Sequence, residues 1–304
     1  MTVKITVTNA KGKDYGALEL QPKDTLLQLK QALQKSTRLN IHRQGLKLKS
    51  GDVLKNLTGD AVTLASLGFV DGATNALVFK DLGPQIGYRT VFVLEYLGPM
   101  VFVLLYATRP AFLYGEKAAS IPYSNVATYG IIAWTLHFLK RELETVFVHR
   151  FSRPTMPLFN LFKNCMYYWS FGLIIGYPLC HPQYTPPTSE TQVYVGLAIM
   201  AISEVLNFAV HMQFRLMRTK EGSNERNIPK GPLFALVSCP NYTFEVLGWV
   251  GFSIFTQIAF GYVFTVAGFL QMAQWALQKH KGYYKTFGDD YKKLHRKAIV
   301  PFFL

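Results

Sequence analysis

What this 304-residue chain lacks narrows its class before any motif does. It has three cysteines, Cys165, Cys180 and Cys239. The odd count and the absence of metal-ligand spacing argue against a disulfide framework and a zinc site. There is no GxGxxG, Walker, HExxH or GxSxG motif, so no soluble-type dinucleotide fold is expected. Acidic residues are scarce, 18 Asp and Glu against 32 Lys and Arg, for a net charge of +14. A basic surplus can address nucleic acid, but here the charges sit mainly in loops beside apolar segments. That distribution fits a membrane with an anionic cytosolic leaflet, and no nucleic-acid partner is expected. Residues 1–88 lack any long apolar run and hold 12 of the basic and 7 of the acidic residues. The chain opens on a strand pattern, not on a charged segment followed by an apolar one, so no signal peptide is expected.

That opening pattern is Val3, Ile5 and Val7 alternating with Lys4, Thr6 and Thr8, the period of a half-buried strand. Asn9-Ala10-Lys11-Gly12 is a turn signal, and Tyr15 to Leu20 reads as the returning strand. Pro22-Lys23-Asp24-Thr25 opens a helix with Leu26, Leu29, Ala32 and Leu33 on one face. A third strand holds Leu46 and Leu48, a short helical turn Leu64 and Leu67, and a last strand Ala76 to Phe79. This order resembles the β-grasp of ubiquitin-like domains over residues 1–80. No Gly-Gly follows the last strand, so an interaction or stability role is expected there and conjugation is not.

From Thr90 on, apolar runs recur at roughly 90–108, 123–140, 160–179, 192–212 and 243–277. The last would measure about 52 Å as one helix, against a hydrocarbon core of about 30 Å. A break near Gly261 yields two spans and a consistent charge pattern. Loops 140–163 and 213–242 then carry five Lys and Arg each and the tail from Lys279 seven. On the other side, loop 180–191 carries none and loop 109–122 two. The expectation is six spans with both termini cytosolic. The sequon Asn241-Tyr242-Thr243 then lies on the cytosolic side and stays unmodified.

Several polar groups fall inside or beside these spans. Glu204, Asn207, His211, Arg215 and Arg218 recur at steps of three and four, on one helical face. They form either the wall of a cavity opening to the cytosol, with arginines suited to phosphate, or a helix–helix hydrogen-bond seam. His137, Lys140 or Arg141, and Glu144 share another face, as anion holders or as snorkelling ion pairs. Asn160, Asn164, Tyr167 and Tyr168 form a third polar face, and Glu95 stands four residues before Pro99. The stretch Ser238-Cys239-Pro240-Asn241-Tyr242-Thr243-Phe244-Glu245 reads as a helix start, with Pro240 fixing φ and Asn241 supplying a cap oxygen. Glu245 is then either a functional carboxylate inside the membrane or an interfacial one facing water. The tail from Lys279 to Lys297, basic with interleaved aromatics, reads equally as a juxtamembrane contact with anionic lipid.

Longer motifs add a family resemblance. His137-Phe138-x-Lys140-Arg141-x-x-Glu144-x-x-Phe147-Val148-His149-Arg150-Phe151-Ser152 is similar to the trans-2-enoyl-CoA reductases of very-long-chain fatty acid elongation. So are Thr155-Met156-Pro157, Asn160-x-Phe162-Lys163-Asn164-Cys165, Val237 through Glu245, and the tail from Lys279-His280 to Leu304. With Asp81-Leu82-Gly83 and Glu95-Tyr96-x-Gly98-Pro99, the resemblance covers essentially the whole chain. It implies an α-helical polytopic membrane protein of about six spans with an N-terminal α+β ubiquitin-like domain. The domains are then 1–80 and a steroid 5α-reductase-like catalytic part, 81–304. It further implies NADPH-dependent reduction of trans-2-enoyl-CoA to saturated acyl-CoA at the endoplasmic reticulum, feeding sphingolipid synthesis. Other enzymes of the elongation cycle are the implied partners.

By the same resemblance Tyr242 is the proton donor and Lys140 the second essential residue, its ammonium helping the phenol to give up a proton. Asn207, Arg215, Arg218, Asn241, Glu245, His280, Tyr283 and Arg296 match positions that contact NADPH in the wider group. No metal is implied. Two departures stand out. Phe138 replaces a tyrosine that holds the substrate carbonyl in the steroid enzymes, and the tail is longer between Phe287 and Arg296. A 3-oxo-Δ4-steroid or polyprenol reductase of the same superfamily, or a non-catalytic membrane scaffold, are the competing readings.

Overall fold

The computed structural model describes residues 2–151, 153–218 and 227–304. They fall into two compact units. The first comprises the described residues up to Tyr88 with those of Phe151–Leu161, and the second comprises Arg89–Arg150 and the described residues from Phe162 on. Ser152 of the family motif, and Lys220 and Arg226 of the basic loop 213–242, lie outside the described residues.

In the first unit β1 (Val3–Asn9) and β2 (Asp14–Leu20) form an antiparallel hairpin. Its turn is closed by Asn9, whose side-chain oxygen accepts the amides of Lys11 and Lys13, both at 2.9 Å. Helix α1 (Leu26–Thr37) starts at a capping box, Thr25 with Gln28. It buries Leu26, Leu29 and Leu33 completely, as the apolar spacing predicts. Then follow β3 (Gln44–Ser50), β4 (Val53–Asn56), the single turn α2 (Leu64–Leu67) and β5 (Thr74–Asp81). The sheet order is β2-β1-β5-β3-β4, with only β1 and β5 parallel. That is the strand order expected of a β-grasp. Strand β4 is absent from the sequence reading because all four of its residues are exposed, which leaves no alternation. A second, two-stranded sheet pairs β6 (Gln85–Gly87) with β7 (Thr155–Pro157).

The rest of the chain is helical: α3 (Tyr88–Ala107), the single turn α4 (Ala111–Tyr114), α5 (Asn125–Leu143), α6 (Phe159–Cys180), α7 (Glu190–Met217), α8 (Pro240–Thr256), α9 (Ala259–Phe287) and the short α10 (Asp289–Lys292). A π-helical turn, Glu144–Val148, continues α5. Two of these helices, α3 and α7, are long and apolar enough to cross a membrane. The apolar run 243–277 is broken at Gln257 and Ile258, a few residues before Gly261. Gln257 takes a left-handed φ of 53° and donates to Ile254 O (3.1 Å) and to the Tyr262 hydroxyl (2.7 Å). A side-chain amide thus ends α8, while Gly261 stays inside α9.

Small residues set the helix spacing in the second unit. Where α7 crosses α8, a Cβ on Gly251 would lie 2.6 Å from Gly196 O, and one on Gly196 would lie 2.8 Å from Gly251 O. The two backbones therefore touch, as small residues permit in membrane-type packing. Gly172 sits equally close to Pro99, bringing α6 onto α3. Between the helices lies an aromatic core of Trp134, Phe138, Trp249, Phe252 and Phe264.

Candidate active site

The first turn of α8 is held from outside the helix. Pro240 opens it, where a missing N–H costs nothing. The cap position is Cys239, which makes no side-chain cap bond, so the expected capping role of Asn241 is not what the fold uses. The C-terminal tail does the holding instead. Ser238 and Cys239 donate their amides to Lys297 O (2.8 Å) and Ala298 O (3.1 Å). The Thr243 hydroxyl donates to Ile299 O at 2.6 Å. Asn241, freed from capping, turns inward and is buried, and its side-chain oxygen has no protein partner.

Polar groups of α5, α7 and α8 converge beside this turn. Lys140 lies 2.5 Å from a Glu204 carboxylate oxygen and donates to Asn207 Oδ1 at 2.9 Å. Asn207 donates in turn to Asn241 O (2.9 Å) and to Glu245 (3.2 Å). His137, 3% exposed, sits between two carboxylates, 2.7 Å from Glu204 and 3.4 Å from Glu245. Trp249 Nε1 completes the set on Glu245 at 3.4 Å. Each buried charge has an opposite charge or a donor at hand, the condition under which such groups are tolerated. Below the cluster Phe138 is fully buried against Trp134, Trp249, Tyr96 and Tyr168.

A second network lies one turn further along α5. Arg141 donates to Glu144 (2.6 Å) and to the Tyr96 hydroxyl (2.9 Å), and His211 Nδ1 is 3.0 Å from Glu144. Glu144, His149 and His211 present ligand atoms within 4.8 Å of one another. The Arg141 guanidinium is already bonded to Glu144 and lies 3.3 Å from His211 Nδ1. A fixed cation there repels another, so the trio is an ion network around Arg141.

The sequence-derived stripe on α7 is therefore a seam over Glu204, Asn207 and His211, each bonded across to α5 or α8. Its two arginines end in carbonyls: Arg215 donates to Phe147 O and Val148 O, and Arg218 to Arg150 O. Near the tail, the Ser238 hydroxyl joins His280 Nδ1 (2.5 Å) and the Tyr291 hydroxyl (2.5 Å) and donates to Lys297 O (2.9 Å). Burial raises the Tyr291 phenol above its ordinary range, and the bond to Ser238 opposes that shift. Tyr283 stacks on Tyr291 at 5.1 Å. Arg296, 7% exposed, donates to Pro229 O, and its Nε has no partner. Burial lowers its guanidinium below the usual arginine value.

Tyr242 is half-buried at the head of α8. Its hydroxyl accepts from Lys279 Nζ at 2.9 Å, and that ammonium stands 4.6 Å from the ring centroid. Trp275, one turn back on α9, flanks the same ring at 6.2 Å.

The chain from 154 to 304 matches the family model of 3-oxo-5-alpha-steroid 4-dehydrogenase. A Trypanosoma brucei brucei protein, provisionally named an enoyl-CoA reductase, is 47% identical over 99% of this chain and 100% of its own. The very-long-chain enoyl-CoA reductase of Dictyostelium discoideum is 42% identical over 99% of each chain. The chain belongs to the enoyl-CoA reductase family. A more distant relative, the human trans-2,3-enoyl-CoA reductase-like protein, is 34% identical over 86% of this chain and 72% of its own. Among solved structures, the UBL domain of Plasmodium falciparum Dsk2 aligns over 26% of this chain and all of its own at 25% identity, with a TM-score of 0.21.

In this member of the enoyl-CoA reductase family, Lys140, Asn207, Asn241 and Glu245 form one bonded cluster. His280, Tyr283 and Arg296 gather where the tail folds back, and Arg215 and Arg218 close the far end of α7. The ammonium on Tyr242 is that of Lys279, while Lys140 is engaged by Glu204 and Asn207. By sequence pattern Lys279 is one more base in a basic tail. Its spacing of four from Trp275 is the signal that both meet one partner, but nothing in the sequence says that the partner lies 37 residues earlier.

Proposed function

We propose that this chain reduces the carbon–carbon double bond of trans-2-enoyl-CoA, of very long acyl chain, to saturated acyl-CoA, with NADPH as reductant. The observation that carries the reading is Tyr242, a phenol bonded to an ammonium at the head of a buried helix, beside the unpartnered Asn241 oxygen. An orphaned buried acceptor costs about 1–3 kcal/mol, a cost offset where a ligand supplies the donor. The unpartnered Asn241 Oδ1, an acceptor, and Arg296 Nε, a donor, both fall among the residues expected to hold the nucleotide, so the free polar groups fit a cofactor that carries both. When bound, NADPH supplies the hydride that adds to the β-carbon of the enoyl thioester.

The chain's own groups do the rest. Asn207 fixes the first turn of α8 against α7 through its bonds to Asn241, Glu245 and Lys140. Arg215 and Arg218 spend some of their forked donors on carbonyls and offer the others to phosphates of NADPH or CoA. Tyr242 protonates the α-carbon: its O–H bond breaks as the new C–H bond forms, and the thioester enolate is discharged. We place the protein in the endoplasmic-reticulum membrane with six spans, α3 and α5 to α9, and both termini cytosolic. Residues 81–304 form its catalytic domain. Residues 1–80 form a ubiquitin-like domain facing other enzymes of the elongation cycle, whose product feeds sphingolipid synthesis.

The test is to incubate the purified protein with NADPH and either trans-2-enoyl-CoA or an enone steroid, following NADPH absorbance. Consumption with the thioester alone is expected. Consumption with the steroid alone overturns the substrate, and silence with both leaves a scaffold.

A further inference from the structure

We propose that Lys279 is the positioning residue of the proton donor: it aims the Tyr242 hydroxyl and neutralises the phenolate that Tyr242 becomes. The inference rests on the reading of Tyr242 as donor and adds a residue that this reading did not contain.

The direction of the bond carries the argument. An ammonium has three donors and no lone pair. In the 2.9 Å contact between Lys279 Nζ and the Tyr242 oxygen, the phenol therefore accepts. Its own proton must point away from Lys279. A neutral partner such as serine can be satisfied either way round, whereas an ammonium fixes the orientation. The same cation lies 4.6 Å from the ring centroid, so it meets the side chain from the ring side as well as at the oxygen.

The fold holds Lys279 there through its helix. Ala273 and Ala276 of α9 are buried in one cluster with Cys239, Ala298 and Ile299, and Tyr242 packs against that cluster. Small side chains let α9 lie close to the start of α8, and Trp275 and Lys279, four residues apart, then flank Tyr242 together. The tail segment 297–299 is tied to Ser238, Cys239 and Thr243, so both partners are anchored on the same frame. Lys140, engaged by Glu204 and Asn207, has a different task in holding the helix cluster.

When the phenolic O–H bond breaks, negative charge appears on the oxygen that Lys279 already contacts. A preorganised donor aimed at developing charge accelerates the step without rearranging. Solvent then restores the proton. No oxidant or reductant beyond the proposed NADPH is needed, because this half of the reaction moves only a proton.

The experiment compares wild type, Tyr242→Phe, Lys279→Met and Lys279→Arg as purified full-length proteins, with NADPH and trans-2-enoyl-CoA, in H2O and in D2O. Lys279→Met is expected to lower kcat by about tenfold to a hundredfold, at or below the lower end of general-acid effects because the acid itself is retained. The KM for NADPH should stay within about twofold, because a lost transition-state contact lowers kcat and leaves ground-state binding alone. The solvent isotope effect should rise as proton transfer becomes slower, and Lys279→Arg should recover most of the rate. A full kcat in Lys279→Met, or a raised KM for NADPH with kcat intact, overturns the inference and makes Lys279 idle or a phosphate contact. If wild type is inactive, the substrate reading fails. If Tyr242→Phe is active, the donor reading fails. Both results differ from those that reject Lys279 alone.

Discussion

Replacing Gly251 with alanine puts one methyl group between two backbones. The new carbon would lie 2.6 Å from Gly196 O, 2.7 Å from Met200 N and 3.2 Å from Ile199 Cγ2. The first two are main-chain atoms of α7, which no rotamer change can move. Restoring an ordinary contact near 3.4 Å requires α7 and α8 to separate by roughly 0.8 Å. Overpacking of this kind costs about 1–3 kcal/mol. Glu245 is six residues away on α8, about 9 Å along the axis at 1.5 Å per residue. The Asn207–Glu245 bond, already 3.2 Å, would be stretched past a useful length, and Asn207–Asn241 at 2.9 Å would be weakened. A displacement of about 1 Å at a catalytic constellation can cost on the order of a hundredfold in rate. Gly268→Ala is the control. Its new carbon would meet Met272 and Tyr167 at ordinary contact, 3.5 Å each, and alanine suits a helix better than glycine by about 1 kcal/mol. Thermal unfolding of the detergent-solubilised protein and its NADPH-dependent turnover should both fall for Gly251→Ala and hold or rise for Gly268→Ala. Equal behaviour of the two variants would refute the claim that touching backbones set the site.

Other outcomes follow from the same contacts. Tyr242→Phe should lower turnover by about 10²-fold or more, the scale of a lost general acid, with an unchanged unfolding temperature. Asn207→Ala removes the bonds that Asn207 makes to Lys140, Asn241 O and Glu245 and should cost about 1–3 kcal/mol in unfolding measurements. Removing residues 297–304 takes away the acceptors of Ser238, Cys239 and Thr243, and enoyl-CoA-dependent NADPH consumption should be lost. In the first unit, the Arg43 guanidinium bonded to Asp81 holds that carboxyl below the usual range, with burial opposing and the Gly83 amide assisting. Stability from this pair is present above the ordinary aspartate range and is lost as pH falls through the lowered value. The protection of β3 and β5 amides relative to their intrinsic exchange rate should therefore fall on acidification, and less so in Asp81→Asn.

Much of the architecture was legible where burial is one-sided. Val3, Ile5 and Val7 announce β1 because the sheet has a wet face, and Leu26, Leu29 and Leu33 announce α1 for the same reason. Strand β4 buries nothing and left no pattern. The break after α8 was required by length, yet its place was set by a side-chain amide, Gln257, that resembles any other glutamine in sequence. Helical spacing put Glu204, Asn207 and His211 on one face and Lys140 near them in kind. It could not say whether the face meets a cavity or another helix, because both present the same periodicity. Asn241 shows the opposite failure: its residue type suits capping, while the tail carbonyls hold the start of α8. The Lys279–Tyr242 contact depends on how α9 folds back on α8, which no local pattern encodes.

The central claim is that Tyr242 delivers a solvent-derived proton to the α-carbon of an enoyl thioester. It is tested most directly by running the reduction of trans-2-enoyl-CoA in D2O and locating the label in the product by mass spectrometry and NMR. One deuteron is expected at the α-carbon and none at the β-carbon, with product formation falling sharply in Tyr242→Phe. Deuterium at the β-carbon, or an undiminished rate of formation of α-labelled product in Tyr242→Phe, would contradict it.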